Sequence, residues 1–349
     1  MDELPATVWD SWLEHEPLGQ FQQTSRWAQF KAGEGWQAER VWLGQKSSPN
    51  GGLQLIWKST RVGRVGYVPK GPVVPGEDPA AVAELFRLLK ERARSIGLRA
   101  LILQPPDQSG ITPEFLGAHQ FDRRPMPSVI RATATIDLRG GRISWESRMH
   151  SKTRQQARAA AKRGVTVRSG DRADLALFFS LMAESCRRQN TQPNPSRVAA
   201  LEALWDAFSA HIKLGFACVE GEPVAGLLMI GHGDRLTFWK KGWNSRGAQL
   251  YANCLLMVEA MQWATDWGYT TVDFAGVDPM IAATLLAGEP LSETQQKSRD
   301  MFNLRLGAQP QLLPPAQLLV LNPALRQLHR LATTVPWLEK KLMRKLGGT

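Results

Sequence analysis

Seven Lys or Arg residues fall between Arg148 and Arg168, with no Asp or Glu among them. Lys152, Arg154, Arg158, Lys162 and Arg163 are the cations of one stretch, "SKTRQQARAAAKRG", which reads as a helix from 151 to 163. Ser151 suits its N-cap and Gly164 its stop, and Ala157, Ala160 and Ala161 form a thin apolar strip. Such residues do electrostatic chemistry: they neutralise phosphates and position a charged substrate. A helix that serves only solubility mixes signs in i, i+4 pairs, whereas a single-sign helix is relieved by a polyanion. The motifs of covalent and metal-assisted catalysis are absent from the sequence: there is no G-x-S-x-G, no H-E-x-x-H and no paired Cys and His signature. The chain is therefore expected to use no covalent nucleophile, no metal and no cofactor.

Composition agrees. The chain has 349 residues, 43% of them hydrophobic, and a formal net charge of +11. That length predicts two domains, and that charge predicts a polyanionic partner: nucleic acid, a phosphorylated metabolite or an anionic membrane surface. Cys186, Cys218 and Cys254 are too far apart for a disulfide framework or a metal site, which fits a reducing, cytoplasmic setting. The N-terminus "MDELPATVWD" does not read as a secretion signal, and no apolar run is long enough to span a bilayer. The tryptophans are scattered and read as core and cleft walls, not as a base-stacking platform.

The elements that must position these residues follow one pattern written twice. "AERVWLG", "LQLIWKS" and "VGRVGYVP" alternate as strands, with "SSPNGG" as a turn between the first two. A helix over "DPAAVAELFRLLKERARSIG" and the strand "LRALIL" come next. In the second half "GFACVEG", "EPVAGLLMIGHG" and "DRLTFWKKGW" precede the helix "AQLYANCLLMVEAMQWATDWG" and the strand "YTTVDFAG". Strand, strand, strand, helix, strand is the core order of the N-acetyltransferase fold, so the expected class is α/β (α+β) with two tandem acetyltransferase-like domains and mixed, largely antiparallel sheets. Domain 1 is expected over 1–142, completed by 310–349, and domain 2 over 143–309. The turn "NSRGAQLYAN" carries one glycine, Gly247, beside bulky Gln249 and Leu250, where coenzyme A pyrophosphate would need bare backbone amides. Coenzyme A is not expected to bind there.

"MHSKTRQQARAAAKRGVTVR" resembles the K-x-R-x-x-x-R-x-A-x-x-x-G-V signature of the Fem family, the aminoacyl-tRNA-dependent transferases that build peptidoglycan cross-bridges. "QTSRWAQFKAGEGW", "YVPKGPVV", "RATATIDL", "ANCLLMVEAMQWATDWGYTTVDFAGV" and "FNLRLGAQP" agree in order, from about residue 20 to 320. The long coiled-coil arm of many members has no counterpart in 170–215, which contains two ordinary helical patterns, so the chain looks like the compact, armless type.

The resemblance implies an aminoacyl-tRNA donor, and as acceptor the side-chain amine of a stem peptide on UDP-MurNAc-pentapeptide or lipid II. An aminoacyl ester needs only a neutral amine, a positioned carbonyl and a stabilised oxyanion. Asp273, at a strand end in "VDFAGV", is a candidate proton acceptor or orienting group. Lys31 matches a lysine that the family uses for the precursor's phosphates. Arg235, Lys240 and Lys241 are expected to face the same interdomain cleft, with Trp239 where the family often has Tyr, and Lys70 is a further phosphate candidate. Two departures stand out. The family's F-K-x-x-F-G element reads Phe302-Asn303-Leu304-Arg305-Leu306-Gly307, so Asn303 supplies no charge and Arg305 or Lys297 would have to substitute. Gln104 replaces a common acidic residue. A tRNA-dependent amide ligase for a small peptide or antibiotic, or a catalytically silent RNA- or envelope-binding homologue, therefore stays open as an alternative. The protein is expected to be a cytoplasmic monomer. Its basic C-terminal segment, "PALRQLHRLATTVPWLEKKLMRKLGGT", either docks on domain 1 or touches the inner face of the membrane.

Overall fold

The computed structural model describes residues 4–332, apart from 62, 125, 127 and 128. The chain divides into two compact units, one formed by residues up to Arg131 together with Leu313 onward, the other by Ala132–Leu312. The expected pattern is present in both.

In the first unit β1 (Gln37–Gln45), β2 (Ser48–Thr60), β3 (Gly63–Val68), β4 (Leu98–Leu103) and β12 (Gln317–Val320) form a sheet in that order. All neighbours are antiparallel except β3 and β4. The parallel pair is joined by the helix Pro79–Ile96, which Asp78 caps through the Ala80 and Ala81 amides and Gly97 ends in the left-handed conformation. Its buried positions Val82, Leu85, Phe86, Leu89, Ala93 and Ile96 recur at helical spacing and pack on Leu53, Leu55, Val68 and Leu101. The expected turn "SSPNGG" is shorter than predicted: β2 begins at Ser48, and a bulge at Leu43/Gly44 lets Pro49 pair with Gly44.

The second unit has a seven-stranded sheet, in the order β11 (Gln309–Leu312), β5 (Ala132–Asp137), β10 (Thr271–Asp273), β9 (Arg235–Trp243), β8 (Glu222–His232), β7 (Ile212–Val219) and β6 (Val165–Gly170). Only β10 and β9 run parallel. The helix Ala252–Asp266 is buried at almost every position of its first half, because the sheet covers one side and the basic helix Ser151–Lys162 another.

This sheet corrects the expected domain limits. Those limits put β5 in domain 1, but it pairs antiparallel with β10 and with β11, so the first boundary falls at 131/132, not 142/143, and the second at 312/313, not 309/310. A short apolar strand buried on both faces carries no mark of the sheet it joins. The 170–215 region contains helices Leu175–Arg188 and Val198–Phe208, of 14 and 11 residues, and no arm. The expected tail amphipathicity begins in the helix Pro323–Ala332; the remainder of that segment lies outside the described residues.

Candidate active site

The second unit contains a cavity of about 710 Å³. It exists because β9 and β10 pair only over Arg235–Thr237 and Thr271–Asp273. Beyond Thr237 β9 loses its parallel partner, and Phe238, Trp239, Phe274, Ala275 and Gly276 line the resulting wedge. A bulge widens it: Met229 pairs with Phe238 and Leu228 with Lys240, leaving Trp239 as the extra residue. The extra residue also sets which way the rest of β9 faces. Phe238 and Trp243 both pack on the cluster around the helix Ala252–Asp266, whereas a Cβ on Gly242 would lie 2.3 Å from the Met182 amide nitrogen on the helix Leu175–Arg188. Lys241 thus shares the Phe238 and Trp243 face, while Lys240 shares that of Gly242. Ser185 pins the strand end, donating to the Trp243 carbonyl and accepting from its amide.

Trp239, Lys240, Lys241, Asn303 and Arg305 all line this one cavity. Lys241 Nζ donates to Asn303 Oδ1 at 2.7 Å and stands 5.1 Å from the centre of the Phe302 ring. Burial pushes the Lys241 ammonium down to about 8, Asp300 counteracting and Arg299 assisting. Lys240, 4.8 Å from the Trp239 ring centre, is also lowered by burial. Arg305, together with His150, Lys152, Thr153 and Gln156, lines a smaller cleft of about 200 Å³; Arg305, Thr153 and Gln156 are common to both spaces. The larger cavity therefore adjoins a cationic one. Lys297, the other expected substitute for the missing motif lysine, is exposed and pairs with Glu293.

The turn before the helix Ala252–Asp266 consumes its own amides. Gly247 N–H donates to Asn244 Oδ1, and the Ala248, Leu250 and Tyr251 amides bond to carbonyls within the turn. A Cβ on Gly247 would sit 2.4 Å from the Val224 carbonyl, so this glycine serves close packing against β8. A pyrophosphate finds no bare amide at these four positions.

Comparisons with known proteins agree with this geometry. Residues 4–111 match the FemAB family and residues 147–280 match the acetyltransferase (GNAT) domain. Lipid II:glycine glycyltransferase of Staphylococcus aureus is 26% identical over 187 residues, 50% of this chain and 44% of that protein. The crystal structure of FemX superposes with a TM-score of 0.80 at 18% identity, covering 94% of this chain and 98% of that one. Residues 4–111 thus carry a FemAB-type region and residues 147–280 an acetyltransferase-type domain. The chain spans less than half the length of the curated relatives it matches. L-PGS from Bacillus licheniformis shares the fold at a TM-score of 0.55 and 15% identity, covering all of this chain and 98% of its own.

Several of the expected site residues make contacts within the protein itself. Asp273 ends β10 but lies off the cavity lining; its carboxylate accepts from Thr133 Oγ1 at 2.5 Å and the Ala275 amide at 2.8 Å, and pairs with Arg235 at 3.5 Å. Arg235 is held there, at the opposite end of β9 from Lys240 and Lys241. Gln104 Nε2 donates to the Ile130 and Pro314 carbonyls, a post that an acid could not fill while ionised. Lys70 is buried against Asp107. On the basic helix, His150 replaces Ser151 as N-cap, and Thr153, Ala157 and Ala160 are buried while Ala161 is exposed. Arg154 donates to the Glu146, Ser147 and Met149 carbonyls at the end of the preceding helix, and Arg158 lies 3.5 Å from Glu146. Arg163 reaches the Gln249 carbonyl and the Tyr251 ring. Lys152 and Lys162 are exposed and form no ion pair among the described residues.

In the first unit Lys31 pairs with Glu34 and stands 5.4 to 5.8 Å from the ring centres of Trp27, Phe30 and Trp36. Thr24 caps its helix. Lys58, which sequence reasoning misses, lies 4.5 Å from the centre of the same Trp36 ring, and burial followed by the Lys31 charge lowers its pKa. On β2 it looks like any outward strand lysine; only tertiary structure brings it beside Lys31. His150, Thr153 and Gln156 escape notice for the same reason.

Proposed function

We propose that this protein transfers an aminoacyl group from aminoacyl-tRNA to the side-chain amine of a peptidoglycan-precursor stem peptide, forming an interpeptide bridge. The observation that carries this reading is that a cavity large enough for an aminoacyl-adenosine end shares Thr153, Gln156 and Arg305 with the cationic cleft of His150 and Lys152. The exposed cations Lys152, Arg158, Lys162 and Arg163 extend positive charge along the same helix for the tRNA backbone. Lys31 and Lys58 hold the phosphates of the acceptor, UDP-MurNAc-pentapeptide or lipid II. The name of the S. aureus relative supports the lipid-linked form. The neutral acceptor amine attacks the ester carbonyl, the carbon–nitrogen bond forms, and the carbonyl oxygen becomes an oxyanion. Collapse breaks the bond to the ribose oxygen, which takes a proton as the amine gives one up to water.

Mass spectrometry of each purified acceptor, incubated with the protein and a mixture of charged tRNAs, tests this. One added aminoacyl residue on the precursor is the expected product. No mass shift on either acceptor, with the charged tRNAs intact, would overturn the reading.

A further inference from the structure

Lys70 is buried and Lys241 half-buried, and their surroundings differ. Lys70 meets the carboxylate of Asp107, as a structural buried lysine does. Lys241 has no carboxylate partner among the described residues; its one hydrogen bond is to the neutral carbonyl of Asn303. One N–H of its ammonium is thereby fixed, and the Phe302 ring offers its face to the charge. The remaining donors are claimed by no described residue, and the side chain lines the cavity. A partly desolvated ammonium that no carboxylate contacts directly is costly, and a methionine would fill the same volume without that cost. A site that holds such a charge against its solvation preference is arranged for a negative charge that arrives with the substrate.

We propose that Lys241 is the catalytic cation of this cavity: its ammonium hydrogen-bonds the carbonyl oxygen of the aminoacyl ester as that oxygen becomes an oxyanion, and Asn303 is the positioning residue that aims it. The inference rests on the aminoacyl-transfer reading. In the step, the amine nitrogen bonds to the carbonyl carbon, the π pair moves to oxygen, and Lys241 stabilises that pair without being consumed. When the pair returns, the carbon–oxygen bond to ribose breaks and the ribose oxygen is protonated from water. A preorganised donor of this kind contributes on the order of 100-fold or more in rate.

The groups facing Lys241 set its titration. Asp300, which favours the ammonium, and Arg299, which opposes it, act on it directly, while Arg305, Cys186 and Lys240, the last from the opposite face of the strand, line the same cavity. With burial holding Lys241 at about 8, the active ammonium is lost as pH rises through that value. The acceptor amine changes in the opposite sense, gaining reactivity with pH.

The test is steady-state transfer by wild type, Lys241→Met, Lys241→Arg and Asn303→Leu, with thermal unfolding of each. Wild type should show kcat falling above about pH 8. Lys241→Met should lose about 100-fold in kcat with KM for charged tRNA nearly unchanged, while melting at or above the wild-type temperature. Lys241→Arg should retain part of the rate and lose the alkaline fall; Asn303→Leu should move that fall to lower pH, because the ammonium loses its acceptor. Wild type that transfers while Lys241→Met keeps kcat within about threefold, or loses only KM, would overturn the inference and leave the transfer reading standing. If Lys241→Met does not fold, an unchanged alkaline limb in Lys241→Arg would overturn it. Absence of any transfer by wild type would overturn both.

Discussion

Lys70 Nζ donates to Asp107 Oδ1 at 2.5 Å, with both side chains buried in the first unit. A lysine that the sequence offers as a phosphate ligand is thus already neutralised from within. Removing one partner leaves an uncompensated buried charge, so Asp107→Asn or Lys70→Met should each cost about 3–5 kcal/mol in urea denaturation. The double variant Lys70→Met/Asp107→Leu should recover most of that loss. KM for the acceptor should stay unchanged in whatever folds.

Asp273 supplies the converse case. Its carboxylate oxygens are used by Thr133, Ala275 and Arg235. Asp273→Asn should lower stability by roughly 1–3 kcal/mol, and kcat per folded molecule should keep its wild-type pH profile. Disappearance of an acidic limb in that profile would return Asp273 to the chemistry.

Gln104 joins two carbonyls through one amide nitrogen. Gln104→Glu removes both donors and buries a charge, for a loss of about 2 kcal/mol or more, read as a lower Tm. Restoring the acid common in the family should therefore harm this chain.

The exposed cations of the basic helix should act additively on tRNA. Binding should weaken steeply with salt, and each of Lys152→Ala and Lys162→Ala should reduce the log–log slope by about one. Arg154→Ala should instead lower stability, since its guanidinium caps the preceding helix. A salt-independent affinity would exclude phosphate contacts along this face.

Lys58 and Lys31 share Trp36, and burial with mutual repulsion lowers the Lys58 pKa. A lysine whose folded pKa lies below its unfolded value opposes folding while it is charged, and that penalty shrinks as pH rises through the folded pKa and is gone above the unfolded one. Lys58→Met should therefore stabilise the first unit at neutral pH. It should also raise KM for a diphosphate-bearing acceptor, and titration of the acceptor by calorimetry checks both the affinity and the proton uptake that a bound anion should induce.

Much of this is legible in the sequence. The repeat, the capped helix Pro79–Ile96, the spent glycine turn and the cationic helix all come from periodicity and residue type, which are local properties. Pairing across distance is hidden there. β5 gives no sign of which sheet it joins, and Lys241 gives no sign that Asn303, sixty-two positions later, will hold it. The missing charge at position 303 is legible; that Lys241 of β9 stands against Asn303 is not. Asp273 is ambiguous there, because a carboxylate at a strand end reads the same whether it meets substrate or the backbone.

Trp239 counts in β9 without occupying a rung of its ladder. Loss of that single codon would leave both lysines on the faces they now occupy and let the strand run straight, narrowing the gap beside them while keeping every charge. Such an in-frame deletion separates the shape of the chamber from its electrostatics.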